Sequence, residues 1–385
     1  MSPGFYAPAL TNILTAKGLG SDWVQWAWLS GPVAALVSPV FIGALADNRF
    51  SGEKLLGWIG VISAAFLAAS FWVLDHDGPP QLFIALLFGN AIVSAPLWSM
   101  MASLCLVHLK SGDREFPLVR LGGTIGWIIA GLMLSFILKA DTSPMAGYVG
   151  AVAKLAGGLY AFGLPKTPPL GKDRGWRALM GLDAFRLLKE RDHCVFFVVT
   201  ALLSMPLTAF YMWTPKHLAE TGDDHVAATM ALGQISEVIA MLMMSMLIGR
   251  FRVKTLLSFS LGLTGIRYGF FALSGVQETS TGLIVGIALH GICYTLYFIT
   301  AQLFLDRRVP FGMRSQAQGL LSLFSNGIGS LSGTFLIRQW YDYSVQSGHG
   351  GWGGFWGMLG GFLILLTVGF LIAYVGTPVG TKRST

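Results

Sequence analysis

Residues 164–192, from Leu164 to Asp192, read LPKTPPLGKDRGWRALMGLDAFRLLKERD, the longest polar interruption in an otherwise apolar chain. Pro165, Pro168 and Pro169 end whatever helix precedes them, because proline lacks the amide hydrogen and clashes with the preceding turn. From Trp176 to Leu188 the pattern turns amphipathic and basic, as an interfacial helix would be. Apolar runs before this stretch cover about 22–45, 55–74, 81–107, 118–138 and 145–163. After it they cover about 194–215, 226–249, 255–275, 282–305, 315–337 and 352–376. Most are long enough to cross a bilayer, which takes roughly 20 apolar residues as helix. Gly4 to Ala16 is apolar but shorter, and reads as the outer part of a first helix whose beginning is missing. The expectation is an all-α membrane protein of two six-helix bundles, residues 1–163 and 193–385, joined by the linker 164–192, with the first helix truncated.

Composition agrees. Of 385 residues, 54% are hydrophobic and only 12% charged, too little polar surface to cover a soluble protein. Cys105, Cys194 and Cys293 lie in or beside apolar runs without metal-ligand spacing, so they read as small packing residues. The formal charge of +7 could point to nucleic acid, but its placement along the chain excludes that reading. With the 22–45 helix running inward, 19 of the 26 Lys and Arg fall in alternate, inner segments. Lys17, Lys139, Lys216 and Arg338 fall in outer ones. This is the positive-inside bias, and it puts the linker and the C-terminus in the cytoplasm of a bacterial inner (cytoplasmic) membrane.

Short motifs refine the picture. Gly43-Ala44-Leu45-Ala46-Asp47-Asn48-Arg49 follows the 22–45 helix and resembles the G-x-L-A-D-R loop signature of the major facilitator superfamily. In that reading Gly43 permits a tight helix approach, and Asp47 with Arg49 latches one gating state. Phe116 to Trp127 (FPLVRLGGTIGW), Gly181 to Phe185 (GLDAF) and Gly233 to Glu237 (GQISE) are similar to motifs of the nucleoside:H⁺ symporter family. So are Ile266 to Gly269 (IRYG), Leu289-His290-Gly291 with Tyr294, and Ala317-Gln318-Gly319. They occur in the family's order over roughly Gly43 to Gly333. The resemblance implies a major-facilitator fold, whose two halves rock about a midplane site, and proton-coupled uptake of a nucleoside or similar small polar heterocycle by alternating access. Where family members carry a tenth-helix aspartate this chain has Thr295. Where well-studied nucleoside permeases have amide side chains in the seventh helix, it has Thr208 and Tyr211.

Polar side chains inside the spans nominate the substrate path, since such groups are costly in hydrocarbon and mark pathways or pairs. Arg120, Thr124 and Trp127 fall at i, i+4, i+7 and share one helix face, offering a cation, a hydroxyl and an aromatic plane to a nucleoside. Gln234 and Glu237 are one turn apart in the eighth span, and Glu237 is the carboxylate expected to carry the coupling proton. His290 and Tyr294 share a face of the tenth span, beside Thr295. Arg267 reads as a packing partner, and Lys154 stands in no motif.

The chain has no H-E-x-x-H, no G-x-S-x-G and no phosphate-binding glycine loop. The reading is therefore not an enzyme, with no cofactor and no metal, working as a monomer among membrane lipid with protons and a nucleoside as partners. Two other functions fit the same outline: a transporter of another small polar metabolite such as a sugar, or a non-transporting membrane receptor.

Overall fold

The computed structural model describes residues 2–169 and 182–376, and among them every regular element is helical. The expected amphipathic helix lies partly outside this range; its described end, Leu182–Lys189, is a 3₁₀ helix. Gly181, Lys382 and Arg383 also lie outside it.

The chain opens with two short helices, α1 (Ser2–Tyr6) and α2 (Leu10–Ala16), separated at Pro8. α1 packs on α7 and α8, and α2 packs on α3. Then follow α3 (Ser21–Asn48), α4 (Gly52–Asp75), α5 (Pro80–Ser94) and α6 (Leu97–His108). Pro96 marks the break between α5 and α6 within the run read from sequence as one span. Next come α7 (Gly112–Leu132), which runs on as a π-helical turn to Leu138, and α8 (Met145–Ala161). Beyond the linker lie α9 (Arg191–Glu220), α10 (Val226–Met230), α11 (Leu232–Arg250) and α12 (Val253–Gln277). The chain continues through α13 (Thr281–Tyr294), a π turn over Thr295–Ile299, and α14 (Thr300–Arg308). After α15 (Arg314–Ser322) and a third π stretch over Leu323–Gly329 come α16 (Ser330–Tyr341) and α17 (Gly351–Ala373). Among the described residues, nine helices, counted through such turns, are long and apolar enough to cross a membrane. Helix is the element that spans lipid because it satisfies every backbone polar group internally.

The packing is that of a membrane protein. Ile137, Val152 and Leu365 are 71%, 67% and 73% exposed. Apolar outward surface on this scale marks a face made for lipid. Inside, α4 packs on α5 and α8, with Leu67, Phe71 and Phe83 at the core. α12 packs on α13 and α17 around Tyr268, Phe271 and Trp356. A third apolar cluster joins the two parts of the chain, with Leu106 and Phe116 meeting Met241, Met244 and Leu303.

Polar bonds also link the parts, on both sides of the molecule's middle. At one end Ser103 meets Ser315 (2.6 Å), and Arg314 donates to the Leu106 carbonyl (3.4 Å). At the other, Arg338 pairs with Asp22 (2.8 Å), and the Ala227 amide donates to Asp141 (3.3 Å).

The glycine of the loop signature has a visible cause. A Cβ on Gly43 would sit 3.0 Å from the Ser315 carbonyl oxygen, so α3 and α15 touch backbone to backbone there. The Asp47 side chain lies outside what the structure describes, and Arg49 is exposed after the end of α3. A closer approach explains two family motifs together. A Cβ on Gly291 would fall 2.1 Å from both the Glu237 amide nitrogen and the Gly233 carbonyl oxygen. Neither backbone atom can move without shifting α11. Gly291→Val is therefore expected to destabilise the fold by about 1–3 kcal/mol, the usual range for overpacking. A thermal melt in detergent checks this; an unchanged midpoint would contradict the close packing.

Candidate functional site

α7 and α11 meet across the middle of the molecule, and the cavity there, about 440 Å³, is walled from both parts of the chain. α7 supplies Arg120, Thr124 and Trp127, the three side chains placed on one face by sequence spacing. α11 supplies Gln234 and Glu237, and Tyr211 of α9 and Tyr294 of α13 complete that side. Seven of the ten nominated substrate residues thus line one volume. Its size falls within the usual range for small-molecule sites.

One bond crosses the cavity wall from one part of the chain to the other. The Thr124 hydroxyl donates to Glu237 Oε1 at 2.8 Å, and both groups are buried. Charge-assisted bonds of this kind are about twice as strong as neutral ones. Gln234, one turn earlier, has a buried Oε1 without a partner among the described residues. Arg120 lays its guanidinium over the Trp98 ring, 3.7 Å from the ring centre. That contact holds the cation against α6, at the cavity lining. Trp127 is half-buried and stands between the main cavity and a smaller neighbouring one lined by Ala7, Pro8, Trp28 and Phe210. Part of its ring is covered by α1, for a Cβ on Gly4 would touch it at 3.3 Å.

The other three nominated residues stand apart from this volume. His290 lies behind Tyr211, whose hydroxyl meets its Nε2 at 3.3 Å, and its ring stacks on Phe210 at 4.2 Å. Its Nδ1 meets Arg267, which is buried among the rings of Phe210, Tyr268 and Phe271. Arg267 is thus a packing residue that reaches the cavity through His290 and Tyr211. Thr208 donates back to the Ser204 carbonyl of its own helix (3.0 Å), and its hydroxyl faces Gly333. Thr295 is fully buried at the start of the π turn.

Sequence reasoning missed Trp98, Met101 and Ser94 and gave Lys154 no role, yet all four line the cavity. A signal was present for the first three. Pro96 interrupts the 81–107 run, and the residues around such a break in a buried helix often line a cavity. Among the described residues no group of His, Cys, Asp and Glu could hold a metal ion.

With this geometry in place, comparison with known proteins is informative. The sequence model of the Nucleoside H⁺ symporter family matches residues 3–377. YegT of Escherichia coli (strain K12) is 32% identical over 378 residues, which cover 94% of this chain and 88% of that protein. Nucleoside permease NupG of the same organism is 24% identical over 371 residues, 91% of this chain and 88% of its own. A point-mutant crystal structure of NupG superposes with a TM-score of 0.79 at 22% identity, covering 97% of this chain and 96% of that one. The major-facilitator proton:xylose symporter XylE superposes with a TM-score of 0.72 at 13% identity, covering 97% and 91%. At those identities the superpositions establish the fold.

Proposed function

We propose, on the premise that this chain belongs to the Nucleoside H⁺ symporter family and has the major-facilitator fold, that it carries nucleosides together with protons by alternating access. The observation that carries the reading is the Thr124–Glu237 bond at 2.8 Å. It joins a helix of residues 1–163 to a helix of residues 193–385, the two bundles that rock against each other in this scheme. An ionised Glu237 holds the bond as a charge-assisted one, and a protonated Glu237 holds it more weakly. Proton occupancy thereby changes how firmly the two bundles are tied at the site where substrate sits.

The other side chains divide the substrate between them. Trp127 offers its ring to the base, and Tyr294 and Tyr211 offer hydroxyls on the opposite wall. Gln234, whose Oε1 has no partner among the described residues, is an acceptor for a ribose hydroxyl or a base N–H. Arg120 supplies fixed donors to a base carbonyl. His290 orients the Tyr211 hydroxyl from behind, and Thr208 and Thr295 act in helix packing. Asp47 and Arg49 serve the gate at the end of α3. The protein sits in the bacterial inner membrane with its C-terminus on the cytoplasmic side, a placement supported by the bias of the basic segments.

Neither alternative is favoured. A sugar brings no planar base for the Trp127 ring to stack on, and a receptor would not need a proton-accepting carboxylate bonded across the two bundles. Uptake of radiolabelled uridine into proteoliposomes with an inward proton gradient tests the reading. Accumulation is expected, with competition by other nucleosides and none by hexoses. Uptake that hexoses suppress and nucleosides leave alone would overturn it.

A further inference from the structure

The cavity extends beyond the residues just described, into a wing lined by Gly60 of α4 and by Ala153, Gly157 and Gly158 of α8, the two helices touching backbone to backbone at Gly60 and Gly158. Lys154 stands in this wing, in a membrane-spanning helix and 8% exposed. Its Nζ donates to Asn90 Oδ1 at 2.6 Å, and among the described residues it pairs with no carboxylate. An ammonium has three donors, so two remain for the cavity. Ser2 lines the same wing, 8% exposed, with its hydroxyl unpartnered among the described residues. The described charges lining the whole cavity are Arg120, Lys154 and Glu237, two cations against one carboxylate. A cation held in hydrocarbon beside only a neutral amide is costly, unless the ligand brings the missing charge.

We infer that the Lys154 wing is an anion subsite, and that the preferred substrates are nucleosides carrying a negative charge. This rests on the nucleoside reading above and deepens it. Lys154 meets the anionic group, the Ser2 hydroxyl donates a second bond to it, and Gly157, with open space where a side chain would stand, leaves room for its bulk. The negative charge has two possible sources, an ionised base or an acidic group on the ribose. Both present the same chemistry to Lys154. An anion entering with one proton also crosses without net charge, so the cavity keeps one negative charge against its two cations whether it is loaded or empty.

The test uses the purified full chain and calorimetric binding of three probes at neutral pH. Uridine is neutral, xanthosine carries an ionised base, and uridine 5′-carboxylate carries its charge on the sugar. The parent is expected to bind at least one anionic probe more tightly than uridine. Lys154→Gln keeps a donor for Asn90 and removes the charge. It is expected to weaken that anionic probe by about tenfold or more, the worth of one charge-assisted bond, and to leave uridine within about twofold. Lys154→Arg is expected to restore the preference, which a packing role alone would not produce. Whichever anionic probe responds identifies the source of the charge. The inference is overturned if the parent binds uridine as well as both anions, or if Lys154→Gln weakens all three alike. Absence of uridine binding by the parent would instead count against the nucleoside reading itself.

Discussion

Glu237→Gln is expected to abolish accumulation of nucleoside against its gradient while leaving facilitated exchange intact. Gln at this position keeps an oxygen that can accept from the Thr124 hydroxyl, so the 2.8 Å contact between α7 and α11 can survive the change. What is lost is the ability to take up and release a proton. A pH step of one unit is worth about 1.4 kcal/mol, which is about tenfold accumulation for one proton per substrate. In proteoliposomes the parent should approach that ratio, and the variant should stop at equal concentrations on the two sides. Counterflow of preloaded substrate should proceed in both, because the rocking motion itself needs no titration. If the Gln variant still concentrates substrate like its parent, the proton travels elsewhere. His290 is then the group to change, since it reaches the cavity wall through Tyr211 at 3.3 Å.

Trp127→Ala should weaken nucleoside binding by about 1–3 kcal/mol, the usual worth of one aromatic ring stacked on one base. That corresponds to a Kd roughly five- to 150-fold higher. Trp127→Phe retains an aromatic face and should recover most of the loss. Because Gly4 packs on the same ring, the alanine variant also loses part of the seat of α1. A melt run beside the titration separates that effect from stacking. Calorimetry with uridine and with free ribose supplies the decisive comparison: the loss should fall on uridine alone. Uridine binding at parental affinity in the alanine variant would remove Trp127 from the site.

The fold was legible because the bilayer admits few solutions. Runs of about 20 apolar residues, a basic bias in alternate loops and one proline-led linker leave little besides a polytopic helical protein. Motifs such as FPLVRLGGTIGW and GQISE then pointed to the family, and helical spacing puts Arg120, Thr124 and Trp127 on one face. Gly291 and Gly233 were readable as motif residues only. Their cause, the backbone contact that seats Glu237 beside α13, depends on which two helices meet.

That choice of neighbour is what sequence pattern left open. In a soluble helix the polar stripe tells which side faces out. Here lipid-facing and protein-facing sides are both apolar, so periodicity does not fix a helix's rotation about its axis or name its partner. Hence Thr208 and His290 looked like cavity residues, yet one bonds back to its own helix and the other stands behind Tyr211. Hence too Trp98 and Lys154 passed without a role. Each acquires one only because α6 and α8 turn toward the volume that α7 and α11 enclose. Sequence pattern was enough for the helical membrane class and for the family. Tertiary packing alone decided which charges share a cavity, because a side chain's place in an apolar bundle is set by its neighbours' shapes.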